Sequence, residues 1–142
     1  MLKIGDLLGG KYRILSVVGR GGMSTVYLAR NERANKNWAV KEVRKSGVNQ
    51  DQVVEQSLLT EVEIMKHLNN PHLPSIIDVI DIDDTFVIVM DFVEGNSLEK
   101  VLEHGSVSEI QVIDLAKQLC DVLLYLHSCN PPIIYRDMNH PM

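Results

Sequence analysis

Between Tyr12 and Phe92 the apolar residues recur mostly every second position, and beyond Gly95 they recur at every third and fourth. Period two lines one face of a strand and period 3.6 one face of a helix, so the change divides the chain into a sheet and a helical part. Tyr12 to Gly19 (with Ile14, Leu15, Val17 and Val18), Thr25 to Ala29 and Trp38 to Val43 read as three strands. A glycine cluster joins the first two, and Asn35-Lys36-Asn37 turns the chain into the third, giving an antiparallel meander. Ile76 to Ile82 alternates apolar and acidic residues, whereas Phe86 to Phe92 is almost continuously apolar and reads as a central strand. One helix, from about Val53 to Leu68, is inserted after the third strand, with Leu58, Val62, Met65 and Leu68 or Leu59 on its apolar face. Asn69-Asn70-Pro71 stops it.

After Gly95, Asn96 or Ser97 caps a short helix through about His104. Ser108 begins a helix of about 21 residues, roughly 31 Å long. Its face carries Val112, Leu115, Leu119, Val122 and Leu126, and it ends near His127, which is expected to be a packed structural histidine. The expected class is therefore α+β: a small lobe over residues 1–94, with five strands and one helix, then helices over 95–142.

At 142 residues and 45% hydrophobic, the chain can bury a core. A formal charge of −5 gives nucleic acid no basic footprint. No apolar run reaches the 18 or so residues that span a bilayer. The opening Met1-Leu2-Lys3-Ile4-Gly5-Asp6 places an acid where a signal peptide would be apolar. A reducing cytoplasmic setting is expected, and with it free thiols at Cys120 and Cys129. Cys120 lies in an apolar helical pattern and is expected to be buried. No His or Cys spacing suggests a metal site.

Two segments carry chemistry. Val18-Gly19-Arg20-Gly21-Gly22-Met23-Ser24-Thr25-Val26 lies between antiparallel strands, and glycines there let backbone N–H groups approach phosphate oxygens without interference from a Cβ. A dinucleotide fold would need a helix after this loop, and a strand follows instead. In Trp38-Ala39-Val40-Lys41-Glu42-Val43, period two sets Lys41 on the face of Ala39 and Val43. A lysine there is costly unless paired, which marks it as a phosphate ligand with a counter-ion from the next helix. Glu61, 20 residues on, sits close to the apolar arc, while its rival Glu63 turns further toward solvent.

The order G-x-G-x-x-S-x-V, W-A-V-K, an inward helical Glu and Y-R-D resembles the protein kinases over about residues 11–138. The Gly-Gly-Met-Ser-Thr-Val-Tyr stretch is most similar to bacterial receptor-type Ser/Thr kinases. That resemblance implies ATP as cofactor, held by the loop residues Val18 to Ser24 and by Val26 and Ala39 against the adenine. It implies Lys41 on the α- and β-phosphates and Glu61 as its ion-pair partner. It further implies Met90 as gatekeeper, Asp91 and Val93 as adenine-bonding hinge residues, and Arg136 and Asp137 in the catalytic loop, with Asp137 accepting the proton of the attacking hydroxyl.

The resemblance ends abruptly. After Asp137 the family carries a lysine and then a metal-binding Asn, where this chain has Asn139 and Met142. A frameshift, a cloning boundary or a prematurely ended gene would give such a break. No magnesium ligand is therefore expected here, and the chain alone is expected to be inactive, or a non-catalytic nucleotide-binding or interaction module. With most of a helical lobe missing, the apolar face of the helix over 108–127 is expected to take a partner, such as another copy of the chain. A protein substrate is expected only for a completed domain.

Overall fold

The computed structural model describes residues 1–22, 24–45, 60, 62–82 and 84–134. Six strands form one antiparallel sheet: β1 (Leu7–Leu8), β2 (Tyr12–Arg20), β3 (Ser24–Asn31), β4 (Lys36–Arg44), β5 (Ile76–Ile82) and β6 (Thr85–Asp91). Their order across the sheet is β1-β2-β3-β4-β6-β5. Each strand from β2 onward falls where the alternation places it. The sixth strand, β1, corrects the expected five: two residues are too few to show a period. Leu8 is nevertheless buried, and Gly9 and Gly10 (φ 53° and 66°) turn the chain back into β2. Between β3 and β4, Asn31 Oδ1 accepts from the N–H groups of Arg33 and Ala34, and Asn35 takes a left-handed φ of 49°. Such asparagine-built turns need no tertiary support.

Period two gives the sheet a dry face of Tyr12, Ile14, Tyr27, Ala29, Trp38, Val40, Val87 and Val89, with Leu8 added. Tyr12 and Trp38 meet edge to face at 6.5 Å, an arrangement suited to the ring quadrupoles. The same alternation carries Glu42 onto this face, where it is 4% exposed. Its carboxylate accepts from the N–H of Leu2 at 3.0 and 3.2 Å and from the Tyr27 hydroxyl at 2.8 Å. The Met1 amine stands 3.2 Å away, and the Tyr27 hydroxyl also reaches the Leu2 carbonyl. The first residues thus lie across the sheet and add Leu2 to its core.

Two compact units share the chain. The first runs over Met1–Asn69 and Pro74–Val93, the second over Asn70–Leu73 and from Glu94 onward. Residues 60 and 62–66 are helical, and Val62 is buried. The remainder of the expected helix over 53–68 lies largely outside the described residues. In the second unit, α1 (Leu98–Glu103) is capped by Ser97, whose hydroxyl accepts from the Lys100 N–H. Helix α2 (Glu109–Ser128) opens on a capping box between Ser108 and Gln111, two reciprocal bonds that satisfy orphan donors of the first turn. Only Leu126 of α2 is buried. Cys120, expected to be buried, is exposed, because the apolar stripe shows which face would be covered and not that anything covers it. His127 is likewise exposed rather than packed. Both thiols are free.

Burial alone would raise the carboxyl pKa of Glu42, yet the Tyr27 hydroxyl, the Leu2 N–H and the Met1 amine hold it below its ordinary 4.5. Burial, and then the bond to Glu42, pushes the Tyr27 hydroxyl up to about 12. Because its folded pKa is depressed, Glu42 adds stability above its unfolded pKa and loses it as pH falls through the folded value. Glu42→Gln should cost about 1–3 kcal/mol at neutral pH, the cost of breaking a buried charged bond. Urea midpoints of the wild type and the variant should then converge below about pH 4. A gap that persisted at pH 3 would show that the charge is not what matters.

Candidate functional site

Strand β4 lies between β3 and β6, and its register builds the site. Lys41 stands opposite Val26 and Ile88, and Ala39 opposite Leu28 and Met90. Directly opposed residues on antiparallel strands have Cα atoms about 4.5–5.5 Å apart. Val26, Ala39, Lys41 and Met90 are thus brought together in two adjacent rows on one face, as the alternation predicts. All four are half-buried, while Ile88 between them and Phe86 nearby are buried. The driest side chains of β4 are on the other face, so Lys41 lines a half-open surface rather than a closed core.

The glycine segment is a tight turn. Gly19 pairs with Val26 and Arg20 with Thr25, and the Gly21 N–H donates to the Ser24 carbonyl at 2.8 Å. The pairing steps from Val17–Tyr27 to Gly19–Val26, leaving Val18 as a bulged residue that is 57% exposed. A bulge bends its strand and re-aims the neighbouring side chains. Gly21 and Gly22 are outside the left-handed region. A Cβ added to Gly21 would meet Ser24 at 3.6–3.7 Å, and one added to Gly22 would meet nothing within 4 Å. The fold therefore does not require these two glycines. What a missing Cβ supplies there is open space over the backbone.

At the end of β6 the Asp91 N–H donates to the Ser75 carbonyl, and its carboxylate accepts from the Ser75 N–H at 3.1 Å and from Lys36 Nζ at 3.2 Å. Burial works to raise the Asp91 pKa, and the Ser75 N–H and Lys36 together pull it below the ordinary value. Lys36 also lies 4.1 Å from the centre of the Trp38 ring. Val93 is 74% exposed. Glu63 donates nothing to the sheet: it is exposed, 2.5 Å from Lys66, and held below the ordinary carboxylate pKa by that bond. Met23, Glu61, Arg136 and Asp137 lie outside the described residues. Among the described residues no group of three or more His, Cys, Asp or Glu could hold a metal ion. Glu42 belongs to no motif, although the Trp38-Val40-Glu42 alternation already sets it on the apolar side.

The structure thus brings a half-buried lysine beside a small and a β-branched residue, one strand from an open glycine turn. The family model of the protein kinase domain matches residues 12–140. The chain belongs to the protein kinase family. It is 34% identical over 128 residues to myosin light chain kinase A of Dictyostelium discoideum, covering 89% of this chain and 42% of that protein. It is 30% identical over 136 residues to the serine/threonine-protein kinase PrkC of Bacillus subtilis, covering 95% of this chain and 20% of that one. Its fold is similar to the crystal structure of Rad53 in complex with AMP-PNP (TM-score 0.71, 28% identity, 83% of this chain and 30% of that one). The chain thus spans less than half the length of these curated relatives.

For this kinase chain, Gly21→Ala and Gly22→Ala should leave stability unchanged or raise it by about 0.4–1 kcal/mol through the unfolded state. ATP affinity, read by isothermal titration, should fall in both. A loss of stability with unchanged affinity would show that the glycines serve the turn instead.

Proposed function

We propose that this chain carries the nucleotide-binding part of an ATP-dependent serine/threonine protein kinase. The observation that supports this most is the shared face of Val26, Ala39, Lys41 and Met90 beside a glycine turn that needs no glycine for its own geometry. In this reading residues 1–94 are the ATP-binding lobe and 95–142 the start of the helical lobe. Lys41 holds the α- and β-phosphates, Glu61 orients Lys41, and the turn from Val18 through Arg20 and Met23 to Ser24 covers the phosphates. The adenine lies against Val26 and Ala39 and bonds the backbone of Asp91 and Val93. Arg136 and Asp137 belong to the catalytic loop, where Asp137 would take the proton of a serine or threonine hydroxyl on a protein substrate. ATP supplies the transferred phosphoryl group. We place the protein in the cytoplasm; no helix of the described residues is long and apolar enough to cross a membrane.

Phosphoryl transfer depends on positioning and on neutralising charge with metal ions and basic groups. The positions that match the family's catalytic-loop lysine and metal-binding Asn hold Asn139 and Met142. These 142 residues alone would therefore bind nucleotide weakly and transfer no phosphate, acting as a nucleotide-binding module. ATP at about a hundred times its Kd should stabilise the chain by about 2.7 kcal/mol, a rise of several degrees in Tm. Lys41→Met should abolish most of that rise. A rise that ignores Lys41 would remove the phosphate-site assignment, and phosphate transfer by the pure chain would overturn its inactivity.

The helix α2 bears on association. Val112, Leu115 and Leu119 are 48%, 39% and 50% exposed. Covering what remains exposed of each is worth roughly 0.6–1.5 kcal/mol, about half the value of full burial. We place a partner on this face, a second copy where the rest of a kinase domain is not present. Light scattering should show a mass above that of one chain, and Leu115→Asp with Leu119→Asp should return it to a monomer. A monomeric wild type would contradict this.

A further inference from the structure

A cavity of about 110 Å³ lies against the glycine turn. Arg20, Thr25 and Glu42 form one row across β2, β3 and β4, and Arg44 follows Glu42 by two positions on the same face. All four line the cavity, with Met1 and the turn residues Gly21, Gly22 and Ser24. Lys41 and Val26 are sequence neighbours of Glu42 and Thr25 and so point the other way. The cavity and Lys41 therefore lie on opposite faces of the sheet and share only the glycine turn.

Size and charge decide what the cavity can hold. Small-molecule pockets run from about 300 to 1,000 Å³, so a whole nucleotide does not fit. A water occupies about 30 Å³, which leaves room for one group the size of a tetrahedral oxyanion. Among the described residues neither Arg20 nor Arg44 lies within ion-pairing distance of a carboxylate; the only partner of the Arg44 guanidinium is Met1 Sδ at 3.9 Å. The one carboxylate in the wall, Glu42, is already engaged by Leu2, Tyr27 and the Met1 amine. Two uncommitted guanidiniums beside a neutralised carboxylate favour a multiply charged anion. The planar fork of arginine suits phosphate oxygens in particular. We infer that this cavity is an anion site, on the opposite face of the sheet from Lys41, which takes a phosphate monoester of a phosphorylated serine or threonine side chain or inorganic phosphate.

The test follows backbone amide resonances of the 142-residue chain at constant ionic strength. One arm titrates inorganic phosphate, the other a short phosphoserine peptide against its unphosphorylated form. Saturable shifts should centre on Gly21, Gly22 and Thr25, leave Ala39 and Met90 in place, and persist in Lys41→Met. Arg44→Gln, at an exposed position, should weaken binding about tenfold or more, as loss of a charge-assisted bond does. Tighter binding of the phosphopeptide assigns the site to a modified side chain, and equal binding assigns it to free phosphate. Shifts that follow Lys41, equal affinity in wild type and Arg44→Gln, or no saturable shift with either probe would each overturn the inference. ATP stabilisation is measured separately, so the kinase reading stands or falls apart from this one.

Discussion

Strand β4 is bonded on both sides, to β3 and to β6, and that double register decides the chemistry of both faces. Lys41 and Glu42 are adjacent in the chain, so the pleat sends them to opposite sides of the sheet. A slip of one residue in β4 would drive Lys41 into the core beside Tyr27 and Val87, turn Trp38 out of it, and put the Glu42 carboxylate on the half-open face. Seven consecutive pairs to β6 and eight to β3 make that slip expensive. Glu42, gathering three donors, ties the first residues of the chain to the same register.

The two faces therefore answer different needs. The dry face holds aromatic and β-branched side chains around one satisfied carboxylate, and it supplies the stability of the first unit. The opposite face is left half-open around Ala39 and Lys41, with Phe86 and Ile88 buried beside them. In the proposed reading, that surface would take an apolar ring and a polyanion without disturbing the core behind it. Asp91, fixed by Ser75 and Lys36, holds the end of β6 on which such a ring's polar edge would depend.

Much of this was legible in the residues. The β-branched, acid-broken run Ile76–Ile82 has bounds that coincide with β5, and the Ser97 and Ser108 caps mark both helix starts. The shared face of Val26, Ala39, Lys41 and Met90 follows once the strands pair in sequence order, with β6 crossing β5 to reach β4. What was not legible depends on partners distant in the chain. Leu7–Leu8 has no pattern of its own and becomes a strand only because Arg13 and Tyr12 offer it an edge. The alternation sets Glu42 on the apolar side, but what satisfies it there, the N–H of Leu2 40 positions away, is beyond any local pattern. The exposure of Cys120 depends on what covers α2, which no periodicity can report.

Trp38 is the chain's single tryptophan, and it sits in the first unit between the edge of Tyr12 and the ammonium of Lys36. Its indole is 8% exposed, so its emission is that of a ring shielded from water. A change in tryptophan emission on denaturation therefore reports on the sheet, while the helical unit, lacking an indole, makes no contribution to that signal. The chain thus carries a built-in fluorophore that separates the melting of one unit from that of the other.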